Sequence, residues 1–318
     1  MQVVKKKILT ALIILGALAL AAAVSLLAYN LLLNIGAPVP GTGEPSEDIG
    51  DISAYIHNNA TEVRVPILMY HHFADDDLGH PGMVASGEQF ASHLRALRDA
   101  GFTTISFNDL AAFVYDGAPL PERPVIITID DGYLSTYEVA FPILKQYDMN
   151  ATVFIIGVTH GMVYYKDTGH VLRWPRFNDE QALTMAASGH IFIESHSYDM
   201  HQHEPWELPE NFRRGVLRKE SESEEEYIKA FRYDFERSAA QIEALLGARP
   251  IVFSYPFGIS NELSDGLLRE MGVKATLKIT QGVNIVSAGD PYSLMSMHRF
   301  NVPWDTAPEE LLELILAS

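Results

Sequence analysis

From Thr61 onward, short apolar runs alternate with longer stretches in which apolar positions recur three or four residues apart. Val63–Met69, Thr103–Ser106, Val125–Ile129, Ala151–Ile156 and Ile191–Ser195 have the length and β-branched content of strands. Ile251–Ser254, Lys274–Leu277 and Ser296–Val302 extend that series. Helical spacing predicts Gly87–Ala100, Asn108–Tyr115, Ser135–Tyr147, Asp179–Ser188, Glu224–Leu246, Glu262–Met271 and Pro308–Leu316. Ser86 is placed to cap the first of these and Gly101 to stop it. Pro142 lies inside the third at some cost. Along Glu224–Leu246, Tyr227, Phe231, Phe235, Ile242 and Leu246 share one side, as in an outer helix packed on a sheet. Repeated β-then-α units imply a parallel sheet with helical crossovers. An open doubly wound sheet and a closed barrel both fit this strand count.

The start of the chain has a different pattern. After Lys5, Lys6 and Lys7, the run Ile8–Ala28 carries no charge, and only Thr10 and Ser25 are polar. At about 1.5 Å per residue it covers roughly the 30 Å of a bilayer core. Four segments are predicted: a cytoplasmic stub at 1–7, a transmembrane signal anchor at 8–35, an extracytoplasmic linker at 36–60 and one α/β domain at 61–318. The lysines place the stub inside and send the rest outward. A signal peptide cleaved near Ala21-Ala22-Ala23, giving a secreted protein, is the alternative. The linker is extended and acidic, with Pro38, Pro40, Pro45, Glu47, Asp48 and Asp51.

Charge and composition then exclude several classes. The formal net charge is −18, and without the three N-terminal lysines the remainder carries −21. The acidic balance argues against a nucleic-acid partner, whose phosphate backbone calls for clustered Lys and Arg. The absence of cysteine excludes disulfides, thiolate metal ligands and cysteine catalysis. No obligate protein partner is evident.

The polar residues that remain cluster after predicted strands: Tyr70-His71-His72, Asp130-Asp131-Gly132, Glu194-Ser195-His196 and Tyr255-Pro256-Phe257-Gly258. In α/β folds the C-terminal strand ends share one face, so these groups converge. Asp131, His196 and His201 suit a divalent metal with one open position. The five-residue His196–His201 spacing does not fit one helix face and demands a loop. His203 competes as a ligand, whereas His190 ends a helix. Asp130 is left free as a general base. Trp174 and Trp206 are candidates for sugar stacking or for plain loop packing, and Tyr255 for the site or for core packing.

The run VIITIDDGYLSTYEVAFPILKQYDMNATVFIIG, together with VPILMYHHF, HSYDMH and FSYPFG, resembles the polysaccharide deacetylase family, carbohydrate esterase family 4. The likeness covers about Val63 to Pro303. It implies a distorted (β/α) barrel of about seven strands and metal-dependent removal of acetyl groups from N-acetylated sugars. By the same resemblance Asp130 is the base, Asp131, His196 and His201 hold the metal, and the Phe257 N–H faces the oxyanion. The metal is expected to be Zn²⁺, with Co²⁺, Ni²⁺ or Mn²⁺ as alternatives. The early MYHHF segment resembles the circularly permuted branch, which includes deacetylases of poly-β-1,6-N-acetylglucosamine. That likeness makes His71 the general acid and His298 its runner-up. Two positions depart from the family pattern. Ser254 stands where many members have an Arg that orients the base, so either Arg299 supplies that charge or the base is held loosely. Gln202 stands where many have Pro. A glycan-binding protein without turnover, and a hydrolase of small non-sugar amides, are the alternative functions.

Overall fold

The computed structural model describes residues 61–317 apart from Asp167. The stub, anchor and linker predicted for 1–60 lie outside the described residues, so the structure bears on the domain predicted for 61–318. Among the described residues no helix is long and apolar enough to cross a membrane.

The first strands are β1 (Glu62–Val65), β2 (Ile67–Tyr70), β3 (His72–Phe73), β4 (Val84–Ala85) and β5 (Thr103–Thr104). They are followed by β6 (Pro124–Ile129), β7 (Ala151–Ile155), β8 (Tyr164–Tyr165), β9 (His170–Val171) and β10 (Ile191–Ser195). The last are β11 (Val252–Ser254), β12 (Ala275–Leu277), β13 (Asn284–Ser287) and β14 (Phe300–Asn301). The α-helices are α1 (Gly87–Asp99), α2 (Phe107–Asp116), α3 (Phe141–Tyr147), α4 (Asp179–Ala187), α5 (Glu224–Leu246), α6 (Glu262–Glu270) and α7 (Pro308–Leu316).

Seven strands lie side by side in the order β12, β11, β10, β7, β6, β2, β14, and every pairing is parallel. β5 pairs with the first residues of β6, below the point where β7 joins it. The ends of the order meet beyond β12. Met297 N–H donates to Thr276 O at 2.7 Å, and Lys278 N–H donates to Met297 O at 3.0 Å. The sheet is therefore curled rather than open.

Strand periodicity explains what each face carries. Along β6, Val125, Ile127 and Ile129 pack into a core with Leu94 and Leu97 of α1, Leu144 of α3 and Leu311 of α7. Ile126, on the other face, joins an inner cluster with Ile67, Phe154 and Leu277. A third cluster lies between α5 and α6, around Phe231, Phe235 and Phe253. Tyr227, Phe231, Phe235 and Ile242 are the buried side of α5, as predicted, and Leu246 is half-buried.

Several predicted segments are shorter or broken, among them Thr103–Ser106, of which only Thr103–Thr104 is strand. The Val63–Met69 run divides at Pro66, which has no N–H to donate. Its first half, β1, pairs antiparallel with β13, and its second half enters the main sheet. The helix expected over Ser135–Tyr147 is a π-helical turn at Thr136–Ala140 followed by α3. Pro142 falls in the first turn of α3, where its missing donor costs little. Of Ser296–Val302, only Phe300–Asn301 is strand, because the residues before it stitch the sheet edges together. The small pairs β1/β13, β3/β4 and β8/β9 were not foreseen. The C-terminal ends of β2, β6, β10 and β11 share one rim, and they carry the groups singled out by motif.

Candidate active site

Asp130 continues the inner face of β6, two residues beyond Thr128 and four beyond Ile126. After it the chain turns sharply: Asp131 and Gly132 have φ of 75° and 68°. A Cβ on Gly132 would lie 3.1 Å from the Ile155 side chain, so glycine meets both the left-handed turn and the close approach. The turn points the two aspartates in different directions.

β10 delivers His196, whose Nδ1 lies 2.7 Å from the Ser254 carbonyl at the end of β11. A carbonyl only accepts, so Nδ1 carries the hydrogen and Nε2 keeps its lone pair. That Nε2 is 3.6 Å from Asp131 Oδ1, and His201 Nε2 is 3.5 Å from the same oxygen. Asp131 Oδ1 is buried without a hydrogen-bond partner. One ligand atom from each of Asp131, His196 and His201 falls within 4.8 Å of the others. A buried orphan carboxylate oxygen facing two imidazole nitrogens is a donor set suited to a divalent ion. As its spacing required, the stretch from His196 to His201 is a loop. Asp234 of α5 holds it by accepting Tyr198 N–H at 2.9 Å and Asp199 N–H at 2.7 Å.

Asp130 is held from the opposite side. Arg299, just before β14 and fully buried, donates Nη1–H to Oδ1 at 2.7 Å and Nη2–H to Oδ2 at 2.8 Å. The same guanidinium donates to the Lys278 carbonyl at 3.1 Å and to Ser254 Oγ at 3.0 Å. Ser254 Oγ in turn donates to Asp130 Oδ2 at 3.3 Å. The cation missing from position 254 is thus supplied from another strand, and the serine leaves room for it. Of the two options left open for the base, the geometry is the tightly held one.

His71, Asp130, Asp131, His196, His201, Tyr255 and Phe257 border one cavity of about 490 Å³, with Arg299 behind Asp130. His203 lines it too, but lies outside the Asp131–His196–His201 group. His72 turns away: its Nδ1 pairs with Ser135 Oγ at 2.8 Å, and its ring stacks on Trp174 at 4.3 Å. His298 faces the Thr280 carbonyl, and His190 faces the Met149 carbonyl. Tyr255 reaches the wall without offering its hydroxyl, which is bonded to Ser264 and Asp265 while its ring packs on Phe253. Of the two readings given for Tyr255, the hydroxyl follows core packing, while the residue still borders the cavity. Phe257, at a positive φ of 58°, rests on the His201 ring at 4.3 Å and is 40% exposed. Trp206 sits in an aromatic group with Tyr165, His170 and His203.

The electrostatics sort these groups by charge. Burial raises the pKa of both aspartates, but the basic groups around them outweigh it. Arg299 and His196 hold Asp130 below the ordinary carboxylate range, and His201, Arg176 and His196 do the same for Asp131. Burial lowers His201 to about 3 despite Asp131, and lowers His71 against the pull of Asp130 and Asp131. His201 is therefore a neutral imidazole at neutral pH, the form that binds a metal. Two participants escaped sequence reasoning. Asp234 lies mid-helix, where an acid normally faces solvent, and Arg176 lies on a connecting segment with no strand-end position to mark it.

The profile of the family described as polysaccharide deacetylase matches residues 117–276, which is half of the chain. A Bacillus subtilis protein named as a polysaccharide deacetylase, YxkH, is 34% identical over 149 residues, 47% of this chain and 47% of its own length. The poly-β-1,6-N-acetyl-D-glucosamine N-deacetylase of Staphylococcus aureus strain MRSA252 is 27% identical over 216 residues, 65% of each chain. The chain thus spans less than two thirds of either relative. A solved de-N-acetylase structure from Aggregatibacter actinomycetemcomitans superposes with a TM-score of 0.66 at 23% identity, over 79% of this chain and 99% of that one. At that identity the likeness speaks for the fold. The profile, which contains the Asp-Asp-Gly turn and the His196–His201 loop, decides the affiliation: the chain belongs to the polysaccharide deacetylase family.

Proposed function

We propose that this chain hydrolyses N-acetyl groups from N-acetylglucosamine-containing polysaccharide, releasing acetate and leaving free amino sugars. The observation that carries the reading is the division of two adjacent aspartates. Asp130 is clamped by Arg299, whereas Asp131 faces His196 and His201 with an unpartnered oxygen. Asp131, His196 and His201 would hold a divalent ion, Zn²⁺ by choice of ligands, which supplies Lewis-acid polarisation of the acetyl carbonyl and eases deprotonation of water.

The protein's own groups do the rest. Asp130 stays ionised because Arg299 and the histidines beside it together outweigh its burial, so it can accept a proton from the attacking water. The Arg299 fork also fixes its carboxylate plane, leaving little reorganisation for the step. His71, across the same cavity, gives a proton to the departing nitrogen; burial lowers its pKa more than the two aspartates raise it, so its protonated form is a strong acid. The Phe257 N–H faces the developing oxyanion. One amide bond and one water are consumed, and acetate and an amine result. The domain acts outside the cytoplasmic membrane, tethered by residues 8–35, a placement supported by their hydropathy and flanking lysines.

Acetate release from β-1,6- and β-1,4-linked N-acetylglucosamine oligomers, with and without chelator, is the direct test. Release that chelator abolishes and metal restores is expected. Asp130→Asn should lose turnover yet retain metal, and His196→Ala should lose both. Metal-loaded protein that releases no acetate from any glycan would sink the assignment. Protease digestion of intact cells tests the location: an outward-facing domain is cleaved.

A further inference from the structure

The three most buried arginines are treated differently by the fold. Arg299 is fully buried and paired with Asp130, and Arg213, 7% exposed, forms a salt bridge with Glu222. Arg176, 8% exposed, makes no salt bridge among the described residues, and its Nε and Nη1 atoms are buried without a hydrogen-bond partner. A buried guanidinium without partners is costly unless something that accepts hydrogen bonds comes to it.

The backbone gives Arg176 a rigid position at the site. Leu134 N–H donates to Pro175 O at 2.9 Å and Phe177 N–H donates to Gly132 O at 3.2 Å, and Tyr133 and Arg176 form an antiparallel bridge. The segment is thus bound to the turn that carries Asp130 and Asp131. The guanidinium lies 3.9 Å over the Tyr133 ring and lines the same cavity as His71, Asp130 and Asp131. Stacking on an aromatic face leaves the in-plane N–H groups free to donate, as a planar fork does when it recognises oxygen. Asp131 acts on it only as a nearby charge, and its oxygen belongs to the His196 and His201 group.

We propose that Arg176 is a substrate-binding residue, whose Nε–H and Nη1–H take a hydroxyl or ring oxygen of the sugar that bears the acetamido group. The inference rests on the deacetylase reading and adds to it the group that holds the pyranose while its acetyl is attacked. Its contribution is to binding in both ground and transition states, so it belongs in KM more than in kcat.

Two probes separate sugar binding from the chemistry: an N-acetylglucosamine pentamer, and 4-nitrophenyl acetate, which carries an acetyl group and no sugar. In the full-length, metal-loaded protein, Arg176→Met should raise KM for the pentamer about 10–100-fold, the range of a lost charged hydrogen bond. Its loss of kcat/KM on the pentamer should exceed any loss on 4-nitrophenyl acetate at least about tenfold, because the charge of Arg176 beside Asp131 acts on both probes alike. Arg176→Lys should recover part of the loss. An unchanged KM, or an equal loss on both probes, overturns the proposal. The wild-type protein gives a reading that needs no variant: the Arg176 Nε–H resonance should move and saturate with added pentamer, and a stationary resonance overturns it. A wild type that releases acetate while Arg176→Met keeps the same KM defeats this inference alone. A wild type that releases none defeats the deacetylase reading itself.

Discussion

At the scale of single residues, the site works by giving chemically identical neighbours different partners. Asp130 and Asp131 are consecutive and both buried, yet one is saturated by a guanidinium and the other keeps an open oxygen. The left-handed backbone at Asp131 produces this separation, since an extended peptide there would alternate the two side chains across the sheet. Arg299 makes the sharpest prediction. Arg299→Met leaves Asp130 buried and unpaired, which should cost about 3–5 kcal/mol of stability. Without the guanidinium, burial raises the Asp130 pKa. A group with a depressed folded pKa contributes stability above its unfolded pKa and loses it as pH falls through the folded value. The wild type should therefore hold this contribution from neutral pH into the acid range, and the variant should lack it. Urea denaturation of both proteins at pH 7 and at pH 4 checks this, and equal midpoints at pH 7 would refute the pairing. Ser254→Arg should also destabilise, because Arg299 already fills the space beside that hydroxyl.

Elements matter here for where they stop. β10 and β11 share a single register pair, Ser195 with Phe253, so the ladder between them is thin. Glu194 compensates by accepting the N–H groups of Ile251 and Val252 at 2.8 and 2.9 Å through one carboxylate oxygen. Burial raises its pKa to about 8 from an ordinary 4.5, against the lowering effect of those two donors. A raised folded pKa means that its stability contribution is complete below about pH 4.5 and is lost as pH rises through about 8. Glu194→Gln keeps an acceptor for both N–H groups and cannot ionise. Its melting temperature should match wild type near pH 5 and exceed it near pH 9, and a parallel decline in both proteins would exclude Glu194 as the titrating group. Strand ends of this kind were legible from the sequence because each motif follows an apolar run. The π-helical turn, β1/β13 and the side-chain support between β10 and β11 were not, because they depend on neighbours far along the chain.

For the molecule as a whole, the curled parallel sheet collects onto one rim groups separated by more than two hundred residues, from His71 to Arg299. A metal that binds the folded rim and not the unfolded chain must stabilise the fold. At a free concentration 100 times its Kd the gain is about 2.7 kcal/mol, or roughly 5–10 °C in Tm for a domain of this size. Zn²⁺ added to chelator-stripped protein should give that shift, and His196→Ala with His201→Ala should remove it. A shift of the same size in the double variant would place the metal elsewhere. Sequence by itself determined the α/β class, the positions of the principal strands and helices, and the residues of the Asp-Asp-Gly turn and histidine loop. Those features follow from local periodicity and from motifs short enough to be read in one piece. It also narrowed the guanidinium of Asp130 to two outcomes without choosing. Only the tertiary structure decided for Arg299, withdrew the Tyr255 hydroxyl into the core and left two nitrogens of Arg176 without a hydrogen-bond partner. Each of those facts is a distance across the curled sheet or its rim, and such distances come into being only when the sheet brings its edges together.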